Sequence, residues 1–158
     1  MDRIRSALAV ATLLGLVLWL TWLWQPERQV RLHTAGLIKG IERRNWSKVE
    51  GLLADNYADR WGHDKGFVLS SLRRVFGSFI FLTIEQRSLR VDATTGQTVT
   101  RVKMSGQGSG VAQYVMAKVN GLGDPFTFTW AKSGTLPWEW QLTSADHPTL
   151  DPDAEPQF

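Results

Sequence analysis

Two runs near the C-terminal end, Phe126-Thr127-Phe128-Thr129-Trp130-Ala131-Lys132 and Trp138-Glu139-Trp140-Gln141-Leu142-Thr143, alternate large apolar and polar side chains residue by residue. Successive side chains of a strand point to opposite faces. The pattern therefore predicts two strands with Phe126, Phe128, Trp130, Trp138, Trp140 and Leu142 turned inward. The same period continues upstream, with Ile80, Leu82 and Ile84 set against Phe81, Thr83 and Glu85, then Thr98 to Met104, then Val111 to Val119. Gly, Asp and Ser bound these runs, which predicts an antiparallel meander for everything after Gly77. In that register Val111, Gln113, Val115 and Ala117 face inward, while Tyr114 and Met116 face outward beside Phe81. The segment Ser105-Gly106-Gln107-Gly108-Ser109-Gly110 reads as a flexible hairpin loop. It is like a phosphate-cradling loop in composition only, since no helix is expected after it.

Before Gly77 the period becomes helical. Pro26 suits the first position of a helix, where its missing N–H costs nothing. Val30, Thr34, Leu37, Ile38 and Ile41 then follow helical spacing to about Arg44, with His33 on the edge of the apolar stripe. Asn45-Trp46-Ser47 interrupts the stripe, and Ser47 with Glu50 predicts a capping box that opens a short helix through Val49, Leu52 and Leu53. Residues Tyr57 to Gly62 read as a short strand or turn. Asp64 is expected to cap a third helix carrying Phe67, Val68, Leu72, Val75 and Phe76 on one face and Arg73 and Arg74 on the other, stopped at Gly77.

At the N-terminal end, the run from Ser6 to Trp24 carries no charge. As a helix it would reach roughly 28 Å, close to the hydrocarbon thickness of a bilayer. A cleaved signal peptide would be shorter and end in a small-x-small site. This run ends Thr21-Trp22-Leu23-Trp24-Gln25-Pro26, so an uncleaved single-pass anchor is expected. Trp19, Trp22 and Trp24 would form its interfacial belt. Ala7, Ala11 and Gly15 recur every fourth residue, a pattern that suits docking of another membrane helix but is also common in spanning helices generally. Arg3 and Arg5 on a very short tail are hard to export. The expected topology is therefore an N-terminus in the cytoplasm and a domain on the periplasmic side of a bacterial inner membrane.

Helices followed by a long antiparallel meander, with Asn45-Trp46 to Leu53, Tyr57-Ala58-Asp59, and Trp130-Ala131-Lys132 to Trp138-Glu139-Trp140-Gln141-Leu142, resemble the nuclear transport factor 2-like superfamily of SnoaL-like, cone-shaped α+β domains. The resemblance covers about Pro26 to Pro148. It implies a curved sheet wrapped around the first domain helix to form a conical pocket. It leaves activity open, because isomerases, dehydratases, cyclases, transport adaptors and periplasmic parts of secretion channels share that fold. The expected layout is residues 1–25 as cytoplasmic tail and transmembrane anchor, 26–145 as the cone of three helices on a curved sheet, and 146–158 as an acidic, Pro-rich tail.

Enzymes of this resemblance hold an acid or base inside the cone. Here the inward strand positions are apolar apart from Thr98, Thr100 and Gln113, and none is a carboxylate. His33, Tyr57, Gln113, Trp130 and Trp140 are the pocket candidates, with Asp59 able to pair with His33 or Tyr57. Adjacent His63 and Asp64 are not expected to form a dyad, because Asp64 is needed as a cap. Phe81, Tyr114 and Met116 are the expected partner surface.

The chain has 158 residues, 43% hydrophobic and 21% charged. That is enough for one domain. With no cysteine there is no disulfide scaffold or thiolate metal site. The three dispersed histidines, His33, His63 and His147, give no zinc cluster, so no metal and no cofactor is expected. The net charge of +3 gathers on the domain, because Asp146, Asp151, Asp153 and Glu155 lie in a tail without Lys or Arg. A basic domain on a short tether suits lipid head groups, whereas the absence of basic clusters interleaved with exposed aromatics argues against nucleic acid. The expected function is a non-catalytic, single-pass membrane subunit that docks or scaffolds a secretion, respiratory or photosynthetic complex. Its partners would be lipid, other membrane subunits and a second copy of the chain. The alternative is a membrane-tethered protein that binds an apolar ligand in the cone, or a lyase- or isomerase-type enzyme.

Overall fold

The computed structural model describes residues 2–150, with side chains from Val10 onward except Leu23. Its elements are α1 (Asp2–Leu23), α2 (Pro26–Glu42), α3 (Trp46–Leu52), α4 (Lys65–Gly77), β1 (Phe79–Asp92), β2 (Gln97–Gly108), α5 (Gly110–Asn120), β3 (Phe126–Lys132) and β4 (Trp140–Asp146). This is an α+β architecture in which the four strands form one antiparallel sheet in the order β1-β2-β3-β4. The part of the expected tail at 151–158 lies outside the described residues.

Pro26 does open α2, whose stripe buries Val30, Thr34, Leu37 and Ile38 against the sheet. The cap of α3 corrects the expected Ser47 to Glu50 box. Asn45 sits at the N-cap, and its side-chain oxygen accepts from the Lys48 N–H at 3.1 Å. That bond satisfies one of the donors a helix start leaves unpaired. Asp64 caps α4 as expected, accepting from the Phe67 N–H at 2.8 Å.

The long β1–β2 hairpin turns at Gly96, whose φ of 67° and close approach to the Trp130 carbonyl leave no room for a Cβ. Only glycine adopts that left-handed backbone without steric cost. Both outer strands are covered in part. On β1, Arg44 donates to the Phe79 carbonyl and the Glu42 carboxylate accepts the Ile84 N–H. On β4, the Leu142 and Thr143 carbonyls accept from Ala54 and Ala58. Pairing these groups shortens the open edge that would otherwise invite another strand.

The largest departure from expectation is α5. Residues 111–119 alternate with period two, yet they also place Ala112, Val115, Met116 and Val119 at helical spacing, and the helix is what forms. It wins because that face packs onto Phe79, Leu82 and Met104 as a second core cluster. A strand would turn Ala112 and Met116 away from that cluster. The expected hairpin loop is instead the end of β2, the N-cap Ser109 and the first residue of this helix. Gly108 lets the helix close on the strand, since a Cβ there would lie 2.6 Å from that of Ala112.

The main core joins Val30, Leu37, Val49, Leu53, Tyr57, Leu69, Trp130, Trp140 and Leu142. Trp138, expected inward, precedes β4 and is exposed. β4 runs on to Asp146, and the chain beyond it docks on the loop before α4. There Arg60 pairs with Asp146 at 3.0 Å, Trp61 Nε1–H donates to the Leu150 carbonyl at 3.1 Å, and His147 is fully buried.

Helix α1 is continuous over 22 residues, with Val10, Leu13, Leu14, Leu16, Val17, Leu18, Trp19 and Trp22 all exposed. Among the described residues no helix is long and apolar enough to cross a membrane. The uncharged run Ser6 to Trp24, on which a span was expected, begins before the first described side chain.

Candidate functional site

The inside of the cone is where α2 faces the sheet. On α2, Thr34 Oγ1 donates to the Val30 carbonyl at 2.9 Å and meets Thr98 Oγ1 of β2 at 3.1 Å. Further along β2, Thr100 donates to the Ser88 carbonyl and accepts from Gln86 Nε2 at 3.1 Å. Thr34, Thr98 and Thr100 are all fully buried. These bonds satisfy groups that would otherwise be costly to enclose. The expectation that Thr98 and Thr100 are inward polar positions of β2 is met. These hydroxyls hold α2 on the sheet through neutral hydrogen bonds and provide no acid or base near neutral pH.

His33 lies at the rim of this interior. Its Nδ1 is 2.7 Å from the Gln29 carbonyl. A carbonyl only accepts, so Nδ1 carries the proton. The ring meets the buried Trp130 edge to face, with centroids 5.8 Å apart. Trp130 is 2% exposed, and its Nε1–H has no hydrogen-bond partner among the described residues. Outside His33 a shallow cleft of about 240 Å³ lies between α2 and α3, lined by Gln29, Leu32, His33, Gly36, Lys48 and Leu52. A second cleft of about 120 Å³ is lined by residues including Ala54, Lys132 and Gln141.

Tyr57 is buried in the main core with Trp130 and Trp140. Burial, with the Asp59 carboxylate adding to it, pushes its phenol above its ordinary value, against a smaller opposing effect of the Ala145 backbone. It is thus a neutral group at any ordinary pH. Trp140 Nε1–H donates to the Pro137 carbonyl at 3.0 Å, which leaves its ring as packing.

The remaining candidates fall elsewhere. Gln113 is exposed on α5 and is no part of the cone, because the helical turn sends Ala112 and Met116 inward in its place. The proposed partner surface of Phe81, Tyr114 and Met116 does not exist as one face. Phe81 is exposed on β1, Tyr114 lies on α5 near the Lys118 ammonium, and Met116 is buried in the second core. Ala11 and Gly15 lie on α1, and nothing among the described residues packs on Gly15; the Ala7 side chain lies outside the described residues. Trp19, Trp22 and Trp24 are exposed, and the Arg28 guanidinium stacks 3.4 Å above the Trp22 ring.

One pair was not expected. Asp59 engages His63 rather than His33, with Oδ2 at 3.2 Å from Nδ1, while its Oδ1 accepts the Trp61 and His63 N–H groups at 2.9 Å each. The imidazole stacks on Phe67 with centroids 4.2 Å apart. Between Asp59 and His63 stands Gly62, at a φ of 83°. An Asp whose carboxylate caps the backbone just ahead of it forms an Asx-type loop, and that loop brings the two side chains together. Among the described residues no group of three or more His, Asp or Glu side chains converges as a metal site would require.

Solved structures share this arrangement of the backbone at the level of fold. A Pseudomonas putida protein of the NTF2-like class, of unknown function, superposes with a TM-score of 0.54 at 12% identity, over 75% of this chain and 82% of its own. The fold is NTF2-like. A Streptomyces avermitilis protein of that family, a candidate dehydratase, gives 0.52 at 15% identity over 76% and 93% of the two chains. A candidate aromatic ring hydroxylase from Novosphingobium aromaticivorans gives 0.55 at 10% identity over 75% and 85%. The chain also matches Bd1075 of Bdellovibrio bacteriovorus with a TM-score of 0.51, but spans only 36% of that protein. No protein-family model and no curated protein sequence matches the chain. At these identities the likeness concerns the NTF2-like fold alone.

Proposed function

We propose that the chain is a non-catalytic, membrane-attached docking or scaffolding subunit, carried by α1 and presenting its NTF2-like domain to a larger assembly. The observation that supports this reading most is the filling of the cone. Tyr57, Trp130, Trp140 and Leu142 pack there with Val30 and Leu37 where an acid–base enzyme would hold a substrate. The one titratable side chain in that cluster is Tyr57, whose phenol is pushed upward by burial. A phenol that keeps its proton near neutral pH is not available there as a general base, and the upward shift makes it a weaker acid.

Attachment through α1 is supported by the uncharged run Ser6 to Trp24, by its exposed apolar side chains, and by the short link to α2. The proposed orientation keeps Arg3 and Arg5 in the cytoplasm and places the domain on the periplasmic side of a bacterial inner membrane. A second reading, a protein that takes a small apolar ligand, is favoured by the Trp130 Nε1–H beside His33. A ligand acceptor atom would satisfy that buried donor.

The two readings separate on one set of variants expressed in cells. Under the docking reading, His33→Ala and Tyr57→Phe leave the chain in the membrane fraction, in a complex of unchanged size on a native gel. A chain lacking residues 1–25 leaves both. Loss of the complex in a correctly folded His33→Ala or Tyr57→Phe protein would turn the assignment to the ligand reading. Protease added to spheroplasts should digest the domain; a protected domain would reverse the orientation.

A further inference from the structure

The loop between β3 and β4, residues 133–139, is tightly organised. The Ser133 N–H donates to the Glu139 carbonyl at 2.9 Å, and the Leu136 N–H donates to the Glu139 carboxylate at 2.7 Å. The Glu139 N–H returns to the Leu136 carbonyl at 3.2 Å, and Trp140 Nε1–H holds the Pro137 carbonyl. A loop with so many of its polar groups paired has a set shape, and Pro137 fixes its own φ within it. Yet Leu136 is 44% exposed and Trp138 is 52% exposed. Two large apolar side chains held outward by an ordered loop suit a contact surface.

Topology says where that surface lies. The Gly96 carbonyl accepts the Trp130 N–H at 2.9 Å, so the β1–β2 turn, the end of β3 and the start of β4 sit together. Helix α2 runs away from that end, since Thr34 meets Thr98 near the start of β2, while Glu42 meets Ile84 further down the hairpin. The N-terminus of α2, and with it the junction to α1, therefore shares one end of the domain with Leu136 and Trp138. Trp22 in the last turn of α1 and Trp24 just after it, both exposed, lie at the same junction, and Arg28 and Lys132 supply positive charge there. Indole rings next to cationic side chains match the chemistry of a lipid head-group boundary.

We propose that the 133–139 loop is a second membrane contact, with Leu136 and Trp138 entering the interfacial layer of the leaflet from which α1 emerges. The proposal rests on the membrane attachment argued above. Two contacts at one end fix the tilt of the domain and turn the opposite end, where Phe81 lies, away from lipid.

The chain has no cysteine, so a single introduced one can carry a fluorophore sensitive to polarity. Trp138→Cys, Trp22→Cys and Phe81→Cys chains are labelled and reconstituted into vesicles of phosphatidylcholine and phosphatidylglycerol, with circular dichroism checking the fold of each. Nitroxide-bearing lipids should quench the labels at 22 and 138 to a similar degree and leave the label at 81 bright. Quenching at 22 alone would overturn the loop contact and leave the attachment standing. Quenching at none of the three would overturn the attachment itself, and equal quenching at all three would show an unoriented domain and overturn the proposal.

Discussion

Trp138 and Trp140 stand two residues apart on one alternating run, yet one is 52% exposed and the other 9%. Trp140 belongs to the main core inside the cone, packed with Tyr57, Trp130, Leu142, Val30 and Leu37. Trp138 belongs to the end where α1 meets the domain, together with Leu136, Trp22 and Trp24. The contrast teaches that alternation assigns a residue to a face only where a strand actually runs, and β4 begins at Trp140. Aromatic residues hold the fold in the first region and remain available for contact in the second.

The largest test of that contrast is deletion of each ring. Trp140→Ala should cost about 3 to 5 kcal/mol as a core cavity, whereas Trp138→Ala should stay within about 0.5 kcal/mol of the parent. Urea unfolding should therefore move its midpoint for Trp140→Ala alone. Equal losses would mean that the loop is part of the core.

The second core cluster sharpens the same point for α5. The helix buries Met116 and exposes Gln113. Met116→Ala should therefore cost about 2 to 4 kcal/mol and Gln113→Ala almost nothing, read again from urea midpoints. The reverse ranking would restore the strand and place Gln113 in the cone.

Smaller effects come from the helix ends. Asp64 and Asn45 are the N-caps of α4 and α3, and Ser47 is not a cap. Asp64→Ala and Asn45→Ala should each lose about 1 kcal/mol, and Ser47→Ala much less.

The smallest is a pH effect at the edge of β1. Burial raises the pKa of Glu42, but its bond to Lys39, the Ile84 N–H and nearby positive charge more than offset this, so the net value lies below its ordinary 4.5. The folded state thus favours the carboxylate form more than the unfolded chain does. The stability it contributes is present above pH 4.5 and is lost as pH falls through the lower folded value. Glu42→Gln should flatten the fall in stability over that acidic window; an unchanged profile would remove Glu42 from the account.

Much of the architecture was legible because single residues carried unambiguous signals. Pro26 opened α2, Asp64 capped α4, and the Phe126 to Lys132 alternation coincided with β3. Residues 111–119 were not legible, since they satisfy both periods and only the strand they pack on decides between them. Asn45 displaced Ser47 as a cap because both are good N-cap types two residues apart, and the difference lies in backbone geometry. For the site, the sequence placed His33 on the edge of a stripe and Trp130 inward, and the structure brings the two rings together. The Asp59 and His63 pair depends on the Gly62 turn between them, which composition alone does not display.

Hydroxyl-radical footprinting of the tryptophans in the full chain, read by mass spectrometry in detergent-free buffer and then in vesicles, tests the central claim of a closed interior and a membrane-facing end most directly. Trp130 and Trp140 should be protected in both states, while Trp138 and Trp22 should be oxidised in buffer and protected once lipid is present. Oxidation of Trp130 or Trp140 as fast as Trp138 in buffer would contradict the account, because it would require an open cone.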